Sequence, residues 1–147
     1  MTRSKDLGTM AETAVVKYAR LNGYPNAERR ALRGNKDVGD ILLAPGLIVE
    51  VKGGKTAENA SDNQVIKWLK EVDVEKAHAD AEFPTATYGV TGLLVVKRKG
   101  VGYARAGEWW SVEWVSCEAG KIPTWQRLKD TLLDLRYSGY GDMPDGL

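Results

Sequence analysis

Asp40-Ile-Leu-Leu-Ala-Pro-Gly-Leu-Ile-Val-Glu-Val-Lys52 is the stretch whose reading decides the fold. Two apolar runs meet at Pro45-Gly46, where proline presets φ and glycine accepts the positive φ that follows. The pattern predicts a hairpin of strands 38–43 and 47–52, joined through Ala44-Pro45-Gly46. Side chains alternate along a strand, so Glu50 and Lys52 share one face. Pairing Leu42 with Ile48 sets Asp40 opposite Glu50 and gathers Ile41, Leu43, Leu47, Val49 and Val51 on the second face. A slip of one residue would scatter that apolar set. This register requires a three-residue loop or a bulge near Gly46.

Facing carboxylates are the chemical point of this register. Like charges directly opposite each other on a sheet repel, and a divalent cation would remove the conflict. Oxygen ligands from carboxylates, a backbone carbonyl and water suit Mg²⁺ or Mn²⁺. The competing reading is a solvated cross-strand charge cluster, worth about 0.2–1 kcal/mol per favourable pair.

Outward from the hairpin, helical periodicity predicts a first helix from Met10 to Leu21, closed by Asn22-Gly23. Thr9 and Glu12 have capping-box spacing at its start, yet Glu12 also lies one turn before Val15, Val16 and Ala19, on the stripe facing the sheet. Ala27 to Leu32 reads as a short strand. A long helix is expected from Ser61 to Ala81, with Val65, Trp68, Leu69 and Val72 on one face and Asn59, Ser61 or Asp62 as cap. Gln64 stands one turn before Trp68. Strands follow at Tyr88 to Val96, Val101 to Arg105 and Trp109 to Val115. A last helix begins at Pro123 and carries Trp125, Leu128 and Leu132. The order α-β-β-β-α-β-β-β-α implies an α/β protein with a mixed β-sheet flanked by helices. One domain over residues 1–136 and an extended or disordered tail over 137–147 complete the organisation.

The net charge is +1, but its distribution is uneven: residues 1–55 carry ten Lys/Arg against six Asp/Glu, and residues 56–120 seven against ten. Arg29, Arg30, Arg33 and Lys36 precede the hairpin and Lys55 follows it. Lys97-Arg-Lys99 forms a second cluster. Such groups neutralise phosphates, although short charge runs are commonly solvated faces. One cysteine, Cys117, excludes an internal disulfide and fits a reducing compartment. No run is long enough to span a membrane and no apolar h-region follows Met1, so a cytoplasmic protein is expected. His78 has no Cys or His partner for zinc, and no G-x-S-x-G motif supports nucleophilic serine chemistry. Of Trp109, Trp110 and Trp114, at least one is expected at the surface or an interface, since adjacent strand residues point oppositely.

Glu12, Arg29-Arg30, Gly39-Asp40, Glu50-Val51-Lys52 and Gln64, in this order, resemble the PD-(D/E)XK nuclease superfamily, with Gly39 at the position of the family's proline. Leu93-Leu-Val-Val-Lys97-Arg-Lys-Gly100 sharpens the resemblance toward Holliday junction resolvases of the archaeal and phage type, over residues 9 to 105. The resemblance implies a restriction-endonuclease-like fold and Mg²⁺-dependent cleavage of four-way DNA junctions by a homodimer, in host cytoplasm if phage-encoded. It implies that Asp40, Glu50 and the Val51 carbonyl hold the metal. Lys52 would orient the attacking water and offset charge, with Glu12 and Gln64 supporting the same region. Arg29, Arg30, Arg33, Lys55 and Lys97 would contact the DNA backbone. A restriction-like or RecB-like nuclease is the nearest alternative, and a non-catalytic DNA-binding protein on the same fold a more distant one.

Overall fold

The computed structural model describes residues 4–30, 40–82 and 90–144. Its centre is the hairpin. Strands β2 (Ile41–Ala44) and β3 (Leu47–Lys52) pair antiparallel, with Leu42 opposite Ile48 and Ile41 opposite Val49. The register shifts between Leu42 and Ala44, so Pro45-Gly46 forms a two-residue turn and a bulge absorbs the extra residue. Gly46 has φ of 81°, which a side chain would strain. The apolar face falls as the alternation required: Ile41, Leu43, Leu47, Val49 and Val51 are all buried in one core.

Helix α1 (Ser4–Leu21) lies on that face. It begins six residues earlier than its periodicity predicted, so Thr9 is inside the helix and caps nothing. Leu7 and Ala11 pack against Gly53 and Gly54, and a Cβ on Gly53 would stand 2.6 Å from the Ala11 Cβ. That close approach carries the helix through Gly8 despite its poor propensity. Of the strand expected at 27–32, the described part holds β1 (Glu28–Arg29), paired with Leu42 and Ile41; residues 31–39, including Arg33, lie outside the described residues.

After β3 a short α2 (Gly54–Glu58), which the sequence did not announce, leads to α3 (Asp62–Glu82). The Ser61 hydroxyl accepts the Gln64 N–H at 3.2 Å and caps α3. Val65, Trp68, Leu69 and Val72 bury against the second sheet face, on Leu94, Val96 and Val112. The chain returns as β4 (Thr91–Val96), parallel to β3. A central strand roofed on both faces explains why β3 is apolar almost throughout.

Two expectations fail beyond β4. Val101 to Arg105 is not a strand: Val101 closes a turn onto Arg98, and Tyr103–Glu108 forms a 3-10 helix. Gly100 and Gly102 bracket the turn, and the Trp109 indole donates to the Val101 carbonyl at 3.0 Å. Nor does a helix start at Pro123. Strands β5 (Trp110–Cys117) and β6 (Gly120–Arg127) make a second hairpin, and α4 (Leu128–Tyr137) follows directly. Pro123 is tolerated because β6 is an edge strand.

Among the described residues the sheet is therefore six-stranded in order β1-β2-β3-β4-β5-β6, with only β3 and β4 parallel. It is a mixed sheet of an α/β protein, with α1 and α4 on one face and α3 on the other. Beyond α4, Tyr140 packs on the core and hydrogen bonds Thr91 at 2.6 Å, while the Asp142 N–H donates to the Gly23 carbonyl at 2.8 Å. Among the described residues, no helix is long and apolar enough to cross a membrane.

Candidate active site

Asp40 immediately precedes β2, and its N–H donates to the Val49 carbonyl at 3.0 Å. Its carboxylate turns toward β3, where Oδ2 accepts the Val51 N–H at 2.9 Å. The side chain is thereby anchored to the strand that carries Glu50. The Asp40 carbonyl in turn accepts the Arg30 N–H at 2.8 Å, which ties in the end of β1.

Glu50 is only 7% exposed because α3 roofs its side of the sheet. Residues 64, 68, 71 and 75 form one stripe of that helix at successive steps of four, three and four. Trp68 supplies a ring 5.6 Å from the Lys52 ammonium. Glu71 places Oε2 3.4 Å from Lys52 Nζ. Glu75, itself buried, hydrogen bonds Glu50 side chain to side chain. A hydrogen bond between two carboxyls requires a proton on one of them. Lys52 Nζ lies 3.3 Å from Glu50 Oε1, and Glu50 Oε2 and Glu75 Oε2 are both buried with no donor other than that shared proton among the described residues.

The electrostatics follow from this crowding. Burial pushes the Glu50 carboxyl up to about 10, with the Glu75 hydrogen bond and the charge on Asp40 adding to the shift and Lys52 opposing it. Burial draws Lys52 downward, but Glu50 and Glu71 outweigh it and hold the ammonium above its ordinary value. Glu12, on α1, is raised first by burial and then by Asp40. Arg29 pulls it back through a 3.5 Å contact. The charge of Asp40 is thus felt by both Glu12 and Glu50.

Asp40, Glu50, Lys52 and Glu12 come together as the sequence implied. Gln64 takes its place on the α3 stripe, one turn before Trp68. Arg29 and Lys55 are exposed and Arg30 is half-buried. Lys97 is different. It is 7% exposed, paired with Glu58 of α2, and lies 5.3 Å from the Tyr103 ring centroid and 5.8 Å from that of Trp109. Its charge is neutralised inside the fold instead of facing a phosphate. Removing a partner from a buried pair costs roughly 3–5 kcal/mol. Because Glu58 is partly exposed, Glu58→Ala should cost about 3 kcal/mol, the low end of that range, read by urea denaturation. A loss under about 1 kcal/mol would place the pair among weak surface bridges.

Sequence reasoning missed Glu58, Glu71 and Glu75. Glu71 and Glu75 were legible only as members of a helical stripe continuing from Gln64 and Trp68. Among the described residues, no set of three or more His, Cys, Asp or Glu side chains converges to hold a metal ion. A cation here would take the two carboxylates of Asp40 and Glu50 and complete its shell with a backbone carbonyl and water. That sparse protein ligation suits Mg²⁺, which dehydrates reluctantly. Such an ion would displace the proton that Glu50 and Glu75 share. No protein-family model, curated protein or solved structure matches the chain.

Proposed function

We propose that this protein is a Mg²⁺-dependent endodeoxyribonuclease of the PD-(D/E)XK kind, acting as a homodimer on four-way DNA junctions. The observation that carries the reading is the Asp40/Glu50/Lys52 constellation. Asp40 at the start of β2 is tied to β3 through the Val51 N–H, Glu50 lies on β3, and an ammonium lies 3.3 Å from Glu50 beside the buried Glu75. Carboxyls crowded this closely raise one another's pKa, and a cation between them would relieve the repulsion. The mixed sheet with β3 and β4 parallel and a helix on each face is compatible with a restriction-endonuclease-like fold.

Asp40, Glu50 and the Val51 carbonyl would hold the cation, which supplies Lewis-acid stabilisation of the scissile phosphate and an acidified water. The remaining work falls to the chain. The Val51 N–H fixes the Asp40 carboxylate, so its orientation is set before substrate arrives. Glu71 and the Trp68 ring restrain Lys52 beside Glu50, where its charge can offset the negative charge that builds on a phosphate. Glu12, partly buried near Asp40 and tethered to Arg29, would hold the water shell of the cation.

A restriction-like or RecB-like nuclease acting on linear DNA is the second reading. The burial of Lys97 favours it, since fewer cations are left at the surface to grip a branched substrate. The deciding experiment incubates purified protein with a mobile four-way junction and with matched linear duplex, with and without Mg²⁺. Cutting confined to the junction and to Mg²⁺ is expected. Equal cutting of both substrates transfers the assignment to the second reading, and failure to cut any DNA overturns the nuclease itself.

A further inference from the structure

The second hairpin carries a surface that the catalytic site does not use. Its register separates two faces. On one face β5 presents Trp110, Val112, Trp114 and Ser116, and the residues opposite them on β6 are Arg127, Trp125, Pro123 and Lys121. Every charged residue on this face is a cation. Glu113 alternates to the other face, where the neighbouring Ser111 bonds Thr131 of α4.

The rings are arranged as a shelf. Trp125 is 41% exposed and meets Trp110 edge-on, with centroids 6.0 Å apart. The Arg98 guanidinium, from the turn after β4, lies 4.9 Å from the Trp110 centroid and has no carboxylate partner among the described residues. Arg127 borders the shelf, bridged to Glu108 at 3.1 Å. An exposed indole, Trp125, beside a half-buried one, Trp110, that carries a guanidinium over its ring offers what stacked bases and their phosphates require.

The shelf also shares a sheet face with the candidate active site. Lys52 pairs with Val96 and Val96 with Trp110, so the three side chains point the same way along one row. Two strand spacings separate Lys52 from Trp110, about 10 Å between backbones. Pairing of another strand along β6 is disfavoured by Pro123, whose missing N–H falls on the outer side of an edge strand.

We infer that the Trp110/Trp125/Arg98 shelf binds an unpaired DNA strand by base stacking, beside the site that cuts the backbone. The inference rests on the nuclease reading for the identity of the strand, and it deepens that reading by locating where unpaired bases dock. Its test needs no cleavage. Full-length protein in EDTA is titrated into a fluorescein-labelled oligothymidylate of about 12 nucleotides, within the usual site size of such surfaces. Anisotropy and quenching of tryptophan fluorescence are followed, with matched duplex in parallel. Trp125→Ala should weaken oligothymidylate binding by roughly tenfold, the usual effect of losing one stacking partner. Arg98→Gln should weaken it too and lower the salt slope by about one. Duplex affinity should change far less with either variant. Wild-type affinity in both variants, or no binding by the wild type, overturns the shelf. So does a change in sedimentation behaviour with unaltered DNA binding, which would make the face a protein contact. Junction cleavage by the wild type in Mg²⁺ is scored separately: cutting with unaffected variants removes the shelf alone, and stacking without any cutting removes the nuclease alone.

Discussion

Asp40→Asn is expected to lower Mg²⁺-dependent DNA cleavage by at least roughly 10²–10³-fold, the loss typical of removing one pre-organised electrostatic group from an active site. The substitution separates the two tasks that Asp40 performs. An asparagine carbonyl oxygen can still accept the Val51 N–H, so the tie between the residue before β2 and strand β3 survives. What disappears is the charge, and with it one of the two carboxylates available to a cation. The same charge raises the carboxyls of Glu12 and Glu50. Its removal should therefore leave the midpoint of thermal unfolding unchanged or slightly higher. Cleavage of a labelled junction on a denaturing gel, paired with circular dichroism melts, checks both halves. If the variant cuts within about threefold of wild type, a margin worth well under 1 kcal/mol of transition-state stabilisation, Asp40 is structural and the proposed chemistry is wrong.

The half of the site carried by the hairpin was legible because local rules agree there. Pro45-Gly46 fixes where the chain reverses, and five apolar residues on alternate positions admit only one register. That register brings Asp40 beside Glu50 with no knowledge of the rest of the chain. The half carried by α3 was not legible, since Glu71 and Glu75 reach the site only when the helix lies across β3. Their spacing from Gln64 and Trp68 is that of one helical face, but nothing in the sequence says which strand the face covers. Lys97 was misjudged for a related reason. A Lys-Arg-Lys run reads as solvated, and its first member turns inward only because Glu58 and two aromatic rings close around it. Pro123 and Trp125 misled differently. Trp125, Leu128 and Leu132 have helical spacing and Pro123 resembles a helix start, yet an edge strand accepts that proline. Pairing of Val112 with Trp125 then prevails over local propensity.

Glu50 makes the second large effect, one of linkage between protons, metal and stability. Its carboxyl rises from an ordinary value of 4.5 to about 10 in the folded protein. A group raised in this way binds its proton more tightly folded than unfolded. Its contribution to stability is complete below about pH 4.5 and is lost progressively as pH rises toward about 10. Metal-free protein should accordingly lose stability across neutral and mildly alkaline pH, and Glu50→Gln, which keeps the shape without the proton, should flatten that slope. Mg²⁺ binding to Glu50 must displace the proton. Apparent Mg²⁺ affinity should then climb by close to tenfold per pH unit between about pH 6 and 9, as one displaced proton requires. Thermal shift measured against Mg²⁺ at several pH values reads both effects, since a ligand that binds only the folded state raises the midpoint by mass action. In Glu50→Gln the Mg²⁺-dependent shift should vanish. A wild-type shift that is independent of pH, or one that persists undiminished in the variant, would mean that the buried carboxyl keeps its proton and takes no part in holding the ion.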